Sequence, residues 1–214
     1  MIDYHETKSQ PISRTMVWRA YQKVKANKGS AGIDQMDWQD LEKDLKGQLY
    51  KLWNRLSSGS YFPQPVKEVK ISKSSGGIRK LGIPTILDRI AQQVVKTHLE
   101  QILEPLFHEH SFGYRPSRSC HQAVEKAKQN IFTNDWAIDL DIKAFFDTID
   151  HDKLMGALGH YCKDKWVLLY VERWLKAGIM QVDGCYIERE SGTPQGGVIS
   201  PLLANLYLHV AFDG

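Results

Sequence analysis

Two aspartates near the middle of the chain lie where a metal ion could be bound. Asp139 and Asp141 alternate with apolar side chains over residues 136–142. This period of two predicts a strand with one buried face and with carboxylates on the other. A turn at Lys143 and Ala144 would then leave backbone N–H groups free, so that magnesium and a polyphosphate could bind side by side. At this point a half-buried edge strand with solvated aspartates explains the pattern equally well.

Two glycine-containing loops could also carry chemistry. Residues 191–201 combine Gly, Pro and Gly-Gly, which cannot all lie in regular structure, so the loop is tight and its amides, with that of Gln195, face whatever lies above it. It lacks the Gly-Lys-Ser/Thr of a Walker loop. The loop at 27–34 is basic and has two glycines. It would let a nucleic-acid backbone approach closely, or it is a simple connector.

The basic residues are concentrated in the first part of the chain. Residues 1–80 contain 15 Lys and Arg against 8 Asp and Glu, whereas residues 81–214 contain 13 against 17. This uneven distribution of charge suits a protein that binds a polyanion with one lobe and a metal ion with the other. A lysine-rich solvated surface is the alternative.

The composition restricts the class of protein. The chain has 214 residues, 42% of them hydrophobic and 25% charged, which is typical of a globular protein with one large core or two lobes. No apolar run approaches the ~20 residues of a membrane span, and the N-terminus lacks the order of a secretory signal. Three widely spaced cysteines indicate a reducing, cytoplasmic setting and no zinc module.

Apolar periodicity and turn residues predict the elements that must position these groups. Helices are expected over 12–26, 37–57, 118–131, 152–161 and 165–176, from Thr85 to Pro105, and from the 191–201 loop to about 211. The helix after Thr85 has the broadest apolar stripe and should form the centre of the core. Hairpins are expected over 66–81 and 179–188.

The first hairpin is strongly basic. Five bases on one ribbon make a phosphate clamp, although an edge hairpin kept soluble by lysines has the same appearance. The bases are Lys67, Lys70, Lys73, Arg79 and Lys80.

Five blocks taken together resemble bacterial group II intron-encoded reverse transcriptases, and they occur in the family's order over nearly the whole chain. Any one block could arise by chance, but the ordered set is specific. The blocks are NKGSAGID at 27–34, GGIRKLGIPT at 76–85, SFGYRP at 111–116, DIKAFFD at 141–147 and GTPQGGVISP at 192–201.

The resemblance implies an α+β fold of the right-hand polymerase type, with an antiparallel sheet packed on helices. Residues 1–110 would be an N-terminal extension and fingers, and residues 111–214 the start of a palm. The implied activity is RNA-directed DNA synthesis for a mobile intron, with a maturase role in splicing. Asp141 resembles the first catalytic aspartate, and Ile142 resembles the residue whose backbone carbonyl binds the same metal. The complete site in this family holds two magnesium ions. Asp139 has no implied role.

The resemblance also assigns binding residues. Lys73 and Arg79 match the fingers bases that clamp the incoming triphosphate, and Gln195 matches a glutamine beside the nucleotide. The amides of Lys143, Ala144, Phe145 and Phe146 would hold the triphosphate, and the Phe146 ring would exclude a ribose 2′-OH. Template contacts are implied for Asn27, Lys28, Gly29, Arg115 and Gly196.

The implied partners are intron RNA as template, a DNA primer and dNTPs, without a membrane. The family's Tyr-x-Asp-Asp block, with the other two metal-binding aspartates, is expected beyond Gly214, so the 214 residues alone should be inactive. An incomplete palm would expose sheet edge and favour a homodimer. The alternatives are a non-catalytic RNA-binding splicing cofactor and a defence or CRISPR-associated reverse transcriptase of the same lineage.

Overall fold

The computed structural model describes residues 9–72 and 76–213, which form helices around one hydrophobic core with a small sheet at its side. A 3-10 turn at Glu104–Leu106 and a π-helical turn at His209–Asp213 complete the elements. The helices are α1 (Arg14–Ala26), α2 (Trp38–Lys43), α3 (Leu45–Ser57), α4 (Ile86–Leu103), α5 (Cys120–Thr133), α6 (Phe145–Thr148), α7 (His151–Tyr161), α8 (Lys165–Lys176) and α9 (Ser200–Leu208). The strands are β1 (Val66–Ser72), β2 (Ile78–Ile83), β3 (Ile179–Met180) and β4 (Tyr186–Ile187).

The predicted α+β class and most predicted helices are confirmed. Local capping explains several helix starts: the Ser13 hydroxyl accepts a hydrogen bond from Met16 N, and Ser119 forms a capping box with Gln122. The single helix predicted over 37–57 is wrong, because the chain breaks at Asp44.

Helix α4 forms the centre of the core, as its apolar stripe predicted. It begins at Thr85, whose hydroxyl accepts from Asp88 N at 3.0 Å, and it packs against α1, α3, α8 and α9. Eleven of its residues are buried, and four of these are polar: Asp88, Arg89, Gln92 and Gln93. None of the described helices is both long and apolar enough to cross a membrane.

An antiparallel sheet was expected, but the observed sheet is mixed. Its strand order is β2-β1-β3-β4, and the pairs β1–β2 and β3–β4 are antiparallel. Strands β1 and β3 are parallel, with Val66 opposite Ile179. The two hairpins are separated by the helices from α4 to α8, and a strand that returns after such a crossover can pair in parallel.

The strand predicted over 136–142 is absent. This segment is extended but forms no ladder with any described strand, and its apolar side chains are exposed, Trp136 by 91% and Ile138 by 85%. The preceding helix α5 also has no buried residue. Alternation satisfies only one requirement of a strand; the other is a neighbour that accepts and donates the ladder hydrogen bonds.

A buried carboxyl group holds the chain before β1 against the start of α4. Asp88 accepts hydrogen bonds from the hydroxyls of Tyr61 and Thr85 and from Gln64 N. Burial raises the pKa of Asp88 to about 6, although these three donors lower it. The cluster joins residues 61–64 to α4 through a group that is partly protonated near neutral pH.

We predict that Asp88 makes the stability of the fold depend on pH. Its carboxyl group binds a proton more tightly in the folded chain, so its contribution is complete below pH 3.8 and is lost as the pH rises through about 6. Two pKa units correspond to about 3 kcal/mol. Between pH 4 and 7.5, the free energy of unfolding of wild type relative to Asp88→Asn should fall by about this amount.

Urea unfolding of both proteins at each pH measures the difference. Asp135→Asn, a change of an exposed carboxylate, is the control and should show no such trend. A wild-type to Asp88→Asn difference that does not vary with pH would contradict the prediction.

Candidate active site

A cleft of about 1020 Å³ opens between the β1–β2 hairpin on one side and residues 141–147 and 187–195 on the other. Most of the predicted site residues line it, although they come from three distant parts of the chain. They are Arg79, Asp141, Ile142, Lys143, Ala144, Phe145, Phe146 and Gln195. Lys73 lies outside the described residues.

A short turn presents residues 143–146 to the cleft. Ala144 adopts a left-handed conformation (φ 54°, ψ 32°) and begins α6. Phe145 and Phe146 are then the first helical residues, whose N–H groups have no acceptor within a helix. Their rings are half-buried and meet edge to face, with centroids 5.9 Å apart.

Residues 191–193 fix this turn by backbone hydrogen bonds. Thr193 N donates to Phe146 O and Gly192 N donates to Ile149 O, both at 2.7 Å. Gly192 has a φ of 77°, and a Cβ there would lie 2.7 Å from the carbonyl oxygens of Phe146 and Asp147. Only glycine permits this approach, so the position of Phe146 in the cleft depends on Gly192.

The turn over 194–199 places Gln195 between the two walls. Gln195 Oε1 accepts from Arg79 Nε at 2.9 Å, and its Nε2 donates to the Asp147 carboxylate at 3.1 Å. Gln195 O also accepts from Gly82 N at 3.3 Å. The glutamine is therefore attached both to the hairpin and to α6.

Gln92 on α4 holds the same turn from inside, and sequence reasoning missed it. Its buried Oε1 accepts from Val198 N at 2.7 Å and from Ile199 N at 3.3 Å. A glutamine on the core face of a helix needs such partners. Its place on the apolar stripe of α4 was therefore a usable signal.

Asp147 and Arg189 are two further cleft residues that sequence reasoning did not nominate. Burial lowers the pKa of Arg189 to about 10, and the Asp147 carboxylate opposes this shift. The Arg189 Nη1 group is buried and has no acceptor among the described residues. Both residues place charge in the cleft that Phe146 lines, and no periodic pattern marks either of them.

The basic loop at 27–30 lies outside the cleft and is held by α4. Arg89 donates to Lys28 O and Ser30 O, and Trp38 Nε1 donates to Gly29 O at 3.2 Å. Lys28 and Gly29 have positive φ angles of 52° and 108°. The loop carbonyls are thus used internally, while the side chains of Asn27 and Lys28 stay exposed.

The structure places the expected template contact Arg115 in the interior. The residue is 8% exposed, its Nε donates to Glu104 Oε1 at 2.9 Å, and its Nη1 donates to the carbonyls of His108 and Ser111. A guanidinium used in this way joins the end of α4 to the following loop, and we correct its role to a structural one. Gly196 packs against β2, since a Cβ there would lie 2.7 Å from Gly82 O.

Asp141 and Ile142 offer oxygen donors suited to a hard divalent cation. The Asp141 side chain is exposed in the cleft and Ile142 lies beside it. Within residues 9–72 and 76–213, no cluster of three or more His, Cys, Asp or Glu residues could hold a metal. Magnesium often uses one or two carboxylates together with water and substrate phosphates, so the two residues fit part of its ligand set.

Comparisons with known proteins agree on one family. Residues 71–214 match the model of the reverse transcriptase (RNA-dependent DNA polymerase) family. Over 191 residues the chain is 42% identical to the group II intron-encoded protein LtrA of Lactococcus lactis subsp. cremoris, covering 89% of this chain and 32% of the relative. It is 38% identical to protein YkfC of Escherichia coli K12 over 183 residues, or 83% of this chain and 48% of that protein.

A solved structure is also similar. A chain of a partial Cas6-RT-Cas1–Cas2 complex superposes with a TM-score of 0.59 at 25% identity, covering 92% of this chain and 32% of that chain. The present chain therefore spans about a third to a half of the length of these similar proteins.

We predict that Gly192→Ala destabilises the fold much more than Gly184→Ala. Both glycines have positive φ angles, of 77° and 87°, which cost alanine about 1–2 kcal/mol. Only Gly192 also meets backbone, and the clash should cost a further ~1–3 kcal/mol. Gly184 has open space around it and is the matched control. Chemical unfolding measures both, and equal losses would show that the close approach to Phe146 O is unimportant.

Proposed function

The chain belongs to the reverse transcriptase family, and from this premise we propose that it forms the nucleotide-binding part of an RNA-directed DNA polymerase of a group II intron. The observation that carries the proposal is that Asp141, Phe146, Arg79 and Gln195 line the same cleft. Four residues with complementary tasks in nucleotidyl transfer come together although up to 116 positions separate them. Such convergence is expected of an active site and not of a solvated surface.

The walls of the cleft support a proposed division of the chain. We assign residues 1–110 to an N-terminal extension and fingers, and residues 111–214 to the beginning of a palm. The hairpin β1–β2 supplies one wall, and residues 141–147 and 187–195 supply the other. The continuous core beneath them supports a firm junction between the two parts.

Asp141 is the proposed catalytic carboxylate, with the carbonyl of Ile142 as a further metal ligand. Reverse transcriptases as a family use divalent metal ions. In the complete site two Mg²⁺ ions would activate the primer 3′-oxygen and neutralise charge on the triphosphate. The chain's own residues supply the first oxygen ligands and position the nucleotide beside them.

Nucleotide binding is assigned to both walls. Arg79, together with Lys73 outside the described residues, would bind phosphate oxygens from the hairpin side, and the amides at 143–146 would bind them from the other side. The half-buried Phe146 ring would fill the space that a ribose 2′-OH needs. Gln195 would contact the nucleotide or the adjoining base pair, because it lies between Arg79 and α6.

Template binding is assigned to the basic loop at Asn27, Lys28 and Gly29, with Gly196 beside the cleft. The loop is suited to phosphate contacts because its carbonyls are bonded to Arg89 and Trp38, while its one base, Lys28, is exposed. The proposed partners are intron RNA, a DNA primer and dNTPs, and the exposed apolar segment 136–142 supports a homodimer. The free cysteines support a cytoplasmic compartment.

A second candidate is a CRISPR-associated reverse transcriptase of the same lineage. The likeness to a Cas6-RT-Cas1–Cas2 complex favours it, since that chain contains the same fold within a larger assembly. The higher identity to an intron-encoded protein favours the intron function. The DNA around the gene distinguishes the two functions. A surrounding group II intron sequence would support the intron function, and neighbouring cas genes would support the CRISPR-associated one.

Loss of the proposed metal ligand should stop DNA synthesis. The full-length gene product should extend a DNA primer on an RNA template with dNTPs and Mg²⁺, and Asp141→Asn should reduce the rate at least ~100-fold because a metal ligand is lost. Asp139→Asn changes a carboxylate two residues away that does not line the cleft, and it should leave the rate within about twofold. Extension by Asp141→Asn at the wild-type rate would refute the assignment.

Loss of the proposed triphosphate contact should weaken the binding of dNTP. Arg79→Ala should raise the KM for dNTP by roughly 10- to 100-fold, since a charged hydrogen bond contributes about 1.5–3 kcal/mol. Arg19→Ala removes an equal charge from the exposed face of α1 and is the control. Steady-state primer extension at varied dNTP measures both, and an unchanged KM for Arg79→Ala would exclude it from the nucleotide site.

A further inference from the structure

A line of three polar side chains crosses the cleft from α6 to β2. The Gln195 Nε2 group donates to both carboxylate oxygens of Asp147, at 3.1 and 3.3 Å. Its Oε1 accepts from Arg79 Nε at 2.9 Å. Asp147 thus lies at one end of a connection whose other end is the proposed triphosphate clamp.

The chemistry of the two ends determines which way the Gln195 amide points. A guanidinium only donates and an ionised carboxylate only accepts, so the amide oxygen must face Arg79 and the amide nitrogen must face Asp147. The flipped amide would place two donors together at Arg79 and two acceptors together at Asp147. Both contacts would be lost, so the carboxylate makes one orientation strongly preferred.

The main chain at Asp147 is itself held in place. Its backbone N donates to Ala144 O at 2.9 Å, and its carbonyl accepts from Ser191 Oγ at 3.3 Å. The buried cation Arg189 lies within electrostatic reach on the same side of the cleft. Asp147 therefore presents an anion from a fixed turn, and its exposed carboxylate is in place to orient Gln195.

The bond from Gln195 also determines how Arg79 is presented. It uses the Nε–H of Arg79, and the remaining N–H groups on Nη1 and Nη2 have no acceptor in the described part of the chain. A guanidinium anchored at Nε presents its two terminal nitrogens as a fork, the geometry that binds phosphate oxygens in pairs. The anchoring lowers the entropy that Arg79 would lose on binding.

We propose that Asp147 is a positioning residue that sets the orientation of the Gln195 amide and, through it, aims the Arg79 fork at an incoming triphosphate. The second half of this inference rests on the proposed function, whereas the first half concerns only the orientation of the amide. Asp147 contacts no reacting atom, so it acts on the binding of the nucleotide and not on the chemical step.

The first experiment observes the amide directly. In the 15N-labelled 214-residue chain, Asp147→Asn and Asp147→Ser should shift and broaden the Gln195 side-chain NH2 signals, because the amide then exchanges between two orientations. Asp152→Asn, a change of an exposed acid on α7 outside this cleft, should leave those signals unchanged. Spectra are recorded at a temperature at which circular dichroism shows every variant folded. Unchanged Gln195 signals in both Asp147 variants would overturn the proposal.

The second experiment titrates inorganic tripolyphosphate into the same proteins by calorimetry. Asp147→Asn and Gln195→Ala should each weaken binding roughly five- to tenfold. The double variant should be no weaker than the single ones, because both changes release the same arginine. Full additivity, or an affinity equal to wild type in Asp147→Asn, would contradict the connection.

The two experiments separate the inference from the function on which part of it rests. If the wild-type chain binds no tripolyphosphate, the assignment of Arg79 fails, while the NMR signals still decide the role of Asp147. In primer extension by the gene product, Asp147→Asn should raise the KM for dNTP by the same factor and leave kcat within about twofold. A fall in kcat without a change in KM would overturn the positioning role.

Discussion

Three buried polar side chains on the first turns of α4 hold the loops on which the site depends. Asp88 binds the chain before β1, Arg89 binds the carbonyls of the 28–30 loop, and Gln92 binds the amides of Val198 and Ile199. Each of these groups is costly to bury without a partner. Each loop supplies partners to buried groups on α4, and the turn that Gln92 holds carries Gln195 into the cleft.

The wall of the site opposite the β1–β2 hairpin is assembled by hydrogen bonds between loops. Residues 191–193 hold the turn that carries Phe146 through backbone bonds, and Gly192 permits the close approach. Gln195 then joins this wall to the hairpin through Arg79.

Much of the fold and of the candidate site could be predicted from the sequence. The helices followed from apolar periodicity and from caps such as Ser13 and Thr85, because these signals act within a few residues. Prediction failed where a distant partner decides. The alternation over 136–142 matched a strand, yet no described strand lies beside it. Arg115 was expected to contact the template, although Glu104 and two carbonyls hold it inside.

The sequence by itself determined most of the helices, both hairpins and, through ordered motifs, the residues that carry the proposed chemistry. Only the tertiary structure decided that β1 and β3 run parallel, that Gln92 supports the 194–199 turn, and that Asp147 and Arg79 share one glutamine. The physical reason is the range of the interactions. Caps and periodicity act between near neighbours, whereas the orientation of an amide is set by donors and acceptors that only folding brings within hydrogen-bond distance.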